Sequence, residues 1–354
     1  MFQDDFIIGA TGNVGLTTVR QIFNEGDTDP KRHENPTRIV GLASSTHFLY
    51  DPNGIKREVA FAFAERKRKG KTYKGLDTFL DIADSASSPI EFVDITALGT
   101  LMTRFHLSVI GTTNHGIVTA NKVPLTEVDF STFQFLTRNV RRYGYRCSVM
   151  AGAEAVDFIQ DARDLGDKIT GIEGCFSGTL GYVVTRLHQG ASFFQAVAEA
   201  REKGYTEPNP IEDLSGKDVG RKLLTLGRTV GLDIDYSDIN VVPLALQKDL
   251  KKNDKDFAER VRKAERKENV LRYVASLKFK DEKPILEASL REVPKDSPLG
   301  ALNGTNNKIM ITTDIYDSLK PYIVEAPGAG LDVTARNVRR DLLKHLKQRV
   351  VRNY

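Results

Sequence analysis

The segment GYTEPNPIEDLSGKDVGRKL, from Gly204 to Leu223, gathers Glu207, Asp213, Lys217, Asp218 and Lys222 around two prolines and a helix start. Ser215, Gly216, Lys217 and Asp218 fit a Ser-x-x-Asp capping box, so a helix is expected to begin at Lys217. Val219, Leu223, Leu226 and Val230 then recur at i, i+4, i+7 and i+11 as its apolar stripe. Asp218 and Lys222 are four residues apart, about 5–6 Å between Cβ atoms, and lie beside that stripe rather than opposite it. They are placed to be semi-buried. A partly desolvated lysine can exchange a proton with a substrate oxygen while the adjacent carboxylate orients it. The plainer alternative is a capping aspartate with a helix salt bridge of about 0.2–0.5 kcal/mol. Glu207 and Asp213, ahead of the helix, suit a cationic or hydroxyl-bearing substrate, and a zwitterionic amino acid meets both descriptions.

A second group of residues stands at the N-terminus. FIIGATGNVGLTTVRQIF, from Phe6, reads as strand, loop and helix, with Gly9, Gly12, Asn13, Val14 and Gly15 in the bend. Glycines let the backbone approach a pyrophosphate, whose charge is met by the free N–H groups and positive dipole end of the helix. Ala10 stands where the commonest fingerprint has its first glycine, and the alternative is a tight turn that packs its helix closely and binds nothing. An acid ending the second strand would grip the adenosine ribose of NAD, but that strand ends Gly41-Leu42-Ala43-Ser44-Ser45-Thr46. NADP(H) is therefore expected, with Lys56 or Arg57 as partners of its 2′-phosphate and NAD(H) as the alternative.

These groups need elements to hold them. Phe6 to Ile8, Thr37 to Ala43, Phe92 to Thr96, Ile117 to Ala120 and Cys147 to Met150 are expected strands alternating with helices, the pattern of a parallel sheet covered on both faces. Asn24 to Pro36 reads as a surface loop. From about Gly152 the texture becomes α+β, with a helix Ala153 to Leu165, a strand Gly171 to Cys175, and strands Leu271 to Lys280, Pro284 to Val293 and Lys308 to Asp314. Lys251 to Asn269 mixes charges at helical spacing and reads as a water-facing helix. Glu65 to Lys71, ERKRKGK, carries charge enough to neutralise a phosphate, but it reads first as a solvated loop and receives no site assignment.

The 354-residue chain is 40% hydrophobic and 28% charged, with length enough for two domains and a substantial core. A net charge of +4 from nearly balanced signs implies no nucleic-acid partner. The two cysteines, Cys147 and Cys175, lack Cys-x-x-Cys spacing and the six histidines never pair as His-x-His or His-x-x-x-His, which argues against a disulfide scaffold or a zinc site. No signal-like N-terminus and no apolar run of about 18 residues occurs, so a cytoplasmic protein with no membrane partner is expected.

Taken together, GCFSGTLGY from Gly174, the Gly204 segment, TANK ending at Lys122 and GAGLDVTA from Gly328 resemble the homoserine dehydrogenase family, above all the form fused to aspartokinase, over nearly the whole chain. The resemblance implies a Rossmann-like nucleotide domain at residues 1–151, an α+β substrate and dimerisation domain at 152–320, and a C-terminal segment at 321–354 returning to the first. It also implies a homodimer and the reversible nicotinamide-dependent reduction of aspartate 4-semialdehyde to homoserine, in threonine and methionine biosynthesis. By resemblance, Lys222 gives the proton to the forming alkoxide, Asp218 holds that lysine and the substrate hydroxyl, and Lys122 reaches nicotinamide and substrate. Glu207 would take the substrate ammonium, with Asp213, Tyr205, Gly178 and Thr179 completing the pocket. Thr96, Gly328 and Gly330 match cofactor-contacting positions. Ala10, Ala97 and the segment MAGAEA, Met150 to Ala155, depart from the family pattern. The last segment supplies carbonyls to a monovalent cation in the family, so such an ion is implied without residues to hold it. A dehydrogenase of a related amino acid aldehyde and a noncatalytic dinucleotide sensor are the rival readings.

Overall fold

The computed structural model describes residues 2–207, 209–246 and 249–350, the last five without their side chains. The elements of the first half are β1 (Gln3–Ile8), α1 (Asn13–Asn24), β2 (Thr37–Ala43), β3 (His47–Tyr50), α2 (Arg57–Ala64), β4 (Lys71–Thr72), α3 (Asp77–Ser85), β5 (Ile90–Asp94), α4 (Thr100–Thr112), β6 (Gly116–Thr119), α5 (Val123–Thr126), α6 (Phe130–Thr137) and β7 (Tyr143–Gly144). There follow α7 (Ala155–Leu165), β8 (Ile169–Cys175), α8 (Gly178–His188), α9 (Phe193–Glu202), α10 (Pro210–Leu214), α11 (Lys217–Val230), β9 (Ile239–Val241), α12 (Asp254–Glu265), β10 (Asn269–Lys280), β11 (Lys283–Pro294), β12 (Asn306–Thr313), β13 (Tyr322–Pro327) and α13 (Leu331–Val350). The chain divides into two compact units, Met1–Gly152 with Gly330–Tyr354, and Ala153–Ala329.

The first unit is built on a seven-stranded sheet of order β4-β3-β2-β1-β5-β6-β7. β1 pairs in parallel with both β2 and β5, so successive crossovers leave β1 in opposite directions. Ligands of such sheets bind beyond the strand carboxyl ends at this reversal. The strand β1 is buried along its whole length, as a strand covered on both faces must be. Phe6 packs at a tilt against Phe79 and Phe92 on one face, with ring centroids 4.8 and 5.5 Å away. Ile7, Leu42 and Val93 pack on the other face in one cluster with Val19 and Ile22 of α1 and Val338 and Leu342 of α13. The loop expected at Asn24 to Pro36 is tied down along its length, by Arg339 of α13 on buried Asp27 at 2.6 Å and by the Gln3 N–H on the Pro36 carbonyl at 3.1 Å.

The strand expected at Cys147 to Met150 does not form. The last strand is the two-residue β7, and the chain then turns through Arg146–Ser148 and Met150–Gly152 as short 3₁₀ segments. Met150, Ala151 and Gly152 all have positive φ, at 49°, 51° and 93°. Left-handed backbone at two non-glycine residues costs on the order of 1–3 kcal/mol each, so it persists only where neighbours enforce it. Here Asn337 Nδ2 donates to the Ala151 carbonyl at 2.8 Å, and buried Arg146 pairs with Asp341.

The second unit carries a six-stranded sheet of order β13-β12-β8-β10-β11-β9, antiparallel except for β9 on β11. The strands expected at Gly171, Leu271, Pro284 and Lys308 are β8, β10, β11 and β12. β13 was not anticipated; it alternates half-buried and exposed residues at the sheet edge and pairs with β12 from Ile311–Tyr322 to Asn306–Pro327. The return to the first unit therefore begins at Gly330, not at residue 321. The charged segment from Lys251 forms α12 with Phe257, Val261 and Ala264 buried and its charges outward.

Candidate active site

In the first unit, β1 gives way to α1 through Gly9 and Gly12, and each glycine has its own reason. Gly9 has φ +91°, and a Cβ there would lie 2.5 Å from the Ile95 carbonyl oxygen. At Gly15 a Cβ would lie 2.1 Å from the Gly9 oxygen, so this glycine lets α1 close onto its own loop. Gly12 is different: its φ is −78° and a Cβ would meet only the Gly9 oxygen at 3.4 Å, an ordinary contact. Among the described residues no neighbour requires glycine at that position. It precedes the first amides of α1, at Asn13 and Val14, with no side chain capping them. Bare backbone at a helix start, where the protein itself would admit a side chain, fits a pyrophosphate.

The loop after β5 meets this one, since a Cβ on Gly9 would lie 3.3 Å from Thr96 Cγ2. Thr96 is held by Asp94, whose Oδ1 accepts both its hydroxyl and its N–H, at 2.7 and 3.0 Å. Asp94 is itself buried, with His106 Nε2 at 3.3 Å and the Thr119 hydroxyl donating to Oδ2 at 3.3 Å. Asn121 then donates to the Leu98 carbonyl at 2.8 Å and ties the loop after β6 to the loop after β5. Lys122 follows directly, half-buried at the start of α5. Thus Gly9, Gly12, Asn13, Val14, Gly15 and Thr96 come together at the sheet reversal, with Lys122 on the adjoining loop. Asp94 and Asn121 were missed in the sequence. An acid closing the strand IEFVD was the available signal for the first.

The GAG loop falls on the unit boundary. Gly330 precedes α13, whose first turn meets α1 where Gln21 donates to the Asp332 carbonyl at 3.1 Å. Gly328 belongs to the second unit, where a Cβ would lie 2.0 Å from Asn307 Nδ2. Asn307 is fully buried, and both polar atoms of its side chain lack a protein hydrogen-bond partner.

Within the second unit, α11 starts at Lys217 as expected but by a different device. Ser215 ends α10, left-handed Gly216 (φ +72°) is the residue before the helix, and Ser215 Oγ accepts the Lys217 N–H at 3.3 Å from two residues back. A side chain at Gly216 would strike the Tyr273 hydroxyl. The helix is also far more enclosed than an apolar stripe implies: from Val219 to Thr229 only Arg221 is exposed, and Gly220 and Gly227 admit Tyr236 and Ile234 at close range. Lys222 is accordingly 7% exposed. Its Nζ donates to the Phe176 carbonyl at 2.7 Å and lies 2.8 Å from Asp218 Oδ2, on a side chain that is 49% exposed.

Beside this pair, the N-terminus of α8 is capped by Ser177, and Gly178 lets Thr305 pass, a Cβ there being 2.9 Å from its carbonyl oxygen. The Thr179 hydroxyl reaches the Tyr205 carbonyl and Asp213 Oδ1, the latter at 3.3 Å. Asp213 Oδ2 accepts the Glu207 N–H at 2.8 Å. Burial first, and then the nearby Asp218 charge, push the Asp213 carboxyl above its ordinary value, against the lowering effect of these hydrogen bonds. Asp213 thus works on the protein: it fixes the loop that presents Tyr205 and the exposed Glu207 side chain. The structure brings Gly178, Thr179, Tyr205, Glu207 and Asp213 into one cluster, and Asp218 with Lys222 into another whose charge the first one feels.

A glycine loop at the reversal of a parallel sheet makes the first unit a Rossmann-type nucleotide-binding fold, and the second is an α+β unit. The family model for homoserine dehydrogenase matches residues 156–343, more than half of the chain. The chain belongs to the homoserine dehydrogenase family. It is 32% identical over 94% of its length to the chloroplastic bifunctional aspartokinase/homoserine dehydrogenase of Daucus carota, and spans 37% of that protein. Among solved structures, a Candida auris protein of unknown function matches with TM-score 0.86 and 26% identity, covering 98% of each chain. A hyperthermophilic archaeal homoserine dehydrogenase in complex with NADPH matches with TM-score 0.74 and 19% identity, again over 98% of each chain. Among the described residues no helix is long and apolar enough to cross a membrane, and no cluster of three or more His, Cys, Asp or Glu side chains has metal-binding geometry.

Proposed function

We propose that this chain catalyses the reversible NADP(H)-dependent reduction of aspartate 4-semialdehyde to homoserine. The observation that carries the reading is the buried Lys222, fixed by the Phe176 carbonyl and Asp218 in the unit that also holds the Thr179, Asp213 and Glu207 cluster. A solvated helix pair needs neither the burial nor the backbone acceptor. In the reductive direction Lys222 donates a proton to the alkoxide oxygen as it forms, and in the oxidative direction it takes the hydroxyl proton away. Asp218 holds the ammonium of Lys222 in place and accepts the substrate hydroxyl. Glu207, exposed on a loop braced by Asp213, receives the substrate ammonium, and Tyr205, Gly178 and Thr179 shape the surrounding wall.

The first unit is assigned the cofactor, held by Gly9, Gly12, Asn13, Val14 and Gly15 at its phosphates and by Thr96, Lys122 and Gly330 elsewhere; the assignment of Gly328, in the second unit, rests on the resemblance alone. When bound, the nicotinamide supplies or accepts the hydride. The archaeal homoserine dehydrogenase bound to NADPH supports this assignment, and the turn after β2, Ser44-Ser45-Thr46 without a carboxylate, supports NADP(H) over NAD(H). A homodimer and a monovalent cation belong to the same reading. The Ala151 carbonyl, in the segment assigned to the ion, already accepts Asn337 Nδ2, which leaves it one lone pair. The test is a steady-state assay with homoserine and each oxidised nicotinamide. Homoserine-dependent reduction of NADP is the expected result, and its absence at high enzyme concentration would overturn the proposal.

A further inference from the structure

The basic segment after α2 is exposed, as expected of a solvated loop, but it is also tied to the glycine loop, whereas Arg57, one of the two residues expected to meet a 2′-phosphate, points elsewhere. Arg57 donates to Asn24 Oδ1 at 2.6 Å, at the C-terminal end of α1, and lies over the Phe61 ring. Because α2 runs antiparallel to α1, its other end returns to the glycine loop. On the way Glu65 pairs at 2.7 Å with Arg20, two turns into α1, and Arg66 then donates to the Thr11 carbonyl of the loop at 3.3 Å. The twelve residues of α1 span about 18 Å, and Arg57 stands at the wrong end of them.

We infer that Arg66 binds the 2′-phosphate of the cofactor and sets the choice between the two nicotinamide coenzymes. This rests on the reading of the first unit as the nucleotide unit of a dehydrogenase. Three observations support the residue. Its placement is fixed by the backbone: the Arg66 N–H bonds the Phe63 carbonyl and the Lys67 N–H bonds the Ala62 carbonyl, the paired closure of a Schellman motif. Arg66 takes the left-handed position of that motif, φ +59°, where glycine is the favoured residue. A side chain is kept where the backbone would rather have none. The segment then runs on to the end of β2, with Thr72 paired to His47, the Tyr73 N–H on the Thr46 carbonyl at 3.3 Å and the Tyr73 hydroxyl on the Ser44 carbonyl at 2.6 Å. One short segment therefore touches both the glycine loop and the Ser44 to Thr46 turn, which lacks the carboxylate that would hold a free ribose hydroxyl. In this fold the adenosine ribose lies over the end of that strand.

The guanidinium is also available. Among the described residues its one acceptor is the Thr11 carbonyl, at a distance that a phosphate oxygen readily outbids. Both oxygens of the neighbouring Glu65 are already engaged, Oε1 by Arg20 and Oε2 by Lys67, each at 2.7 Å.

The test uses the full chain and the variants Arg66→Gly and Arg66→Lys, titrated with adenosine 2′,5′-bisphosphate and with adenosine 5′-monophosphate by calorimetry. The wild type is expected to prefer the bisphosphate. Arg66→Gly should lose that preference by about 10–100-fold, the range of a bidentate charge-assisted contact, while Arg66→Lys retains part of it. Its melting temperature should hold or rise, since glycine suits the backbone. The ratio of kcat/KM for NADPH over NADH should fall in parallel. Equal weakening of both nucleotides, or an Arg66→Gly variant that keeps the preference, would overturn the inference. The titrations need no turnover, so a failure of the homoserine assay leaves this result readable on its own.

Discussion

Replacing Lys222 with methionine separates its two roles, because methionine keeps most of the buried stem and removes only the ammonium. The group sits between the Phe176 carbonyl at 2.7 Å and Asp218 at 2.8 Å, with 7% of the residue exposed. If it transfers the proton, kcat should fall by about 10²–10⁴, the usual contribution of a general acid or base. At about 1.4 kcal/mol per tenfold, that is roughly 3–5 kcal/mol of barrier. The folding cost is separate and smaller. The Phe176 carbonyl loses its donor inside the protein, about 1–3 kcal/mol, a larger sum than an exposed i,i+4 pair could account for. Relief of the buried charge offsets part of it. The assay is steady-state turnover with homoserine and NADP, alongside urea unfolding of the same preparation. A variant that keeps kcat within about threefold of wild type, however destabilised, would show that the ammonium only braces α11 against Phe176.

Three further outcomes are expected. Gly12→Ala should leave the unfolding midpoint of the cofactor-free protein unchanged, since its Cβ meets an ordinary 3.4 Å contact, yet raise the cofactor KM at least about tenfold; Gly15→Ala, 2.1 Å from the Gly9 oxygen, should unfold more easily even without cofactor. An unaltered cofactor KM in Gly12→Ala would remove the phosphate from that loop. Glu207→Gln should raise the KM for homoserine more than it lowers kcat, and a change confined to kcat would contradict the ammonium assignment. Asp5 faces Glu91 across β1 and β5, and burial first, with the Glu91 charge second, pushes its carboxyl well above the ordinary range. The native state therefore holds a proton that the unfolded chain releases, and stability is lost as pH rises above about 4 until the folded-state value is passed. Asp5→Asn should gain in urea midpoint over wild type at pH 8 and show little gain at pH 4. The opposite pH dependence would mean that the ionised carboxylate is the stabilising form.

What could be read from the sequence divides along a physical line. β2 and α11 lie where periodicity and breakers placed them, because burial of an apolar face is written in the spacing of apolar residues. The Gly204 segment was legible for the same reason: Asp218 and Lys222 are four apart on one helix, so their contact is local geometry. Devices that depend on distant partners were not legible. Ser215 carries the capping signature, but the tight approach of Tyr273 to Gly216 decides how α11 actually begins. Cys147 to Met150 has the composition of a strand, yet Asn337 and Asp341, nearly two hundred residues later, hold the chain in a left-handed turn.

Arg66 shows the same limit from the functional side. In the sequence it is one of five basic residues in ERKRKGK, and nothing local distinguishes it from its neighbours. What singles it out is the antiparallel packing of α2 on α1, which carries Arg57 to one end of α1 and Arg66 to the glycine loop at the other. A charge run is a solvated face until an element of known length and direction decides which of its members arrives at a site. Here the eight residues of α2, laid against the twelve of α1, make that decision. The catalytic candidates follow from side-chain types at helical spacing, whereas the residue proposed to select the coenzyme follows from where a helix ends.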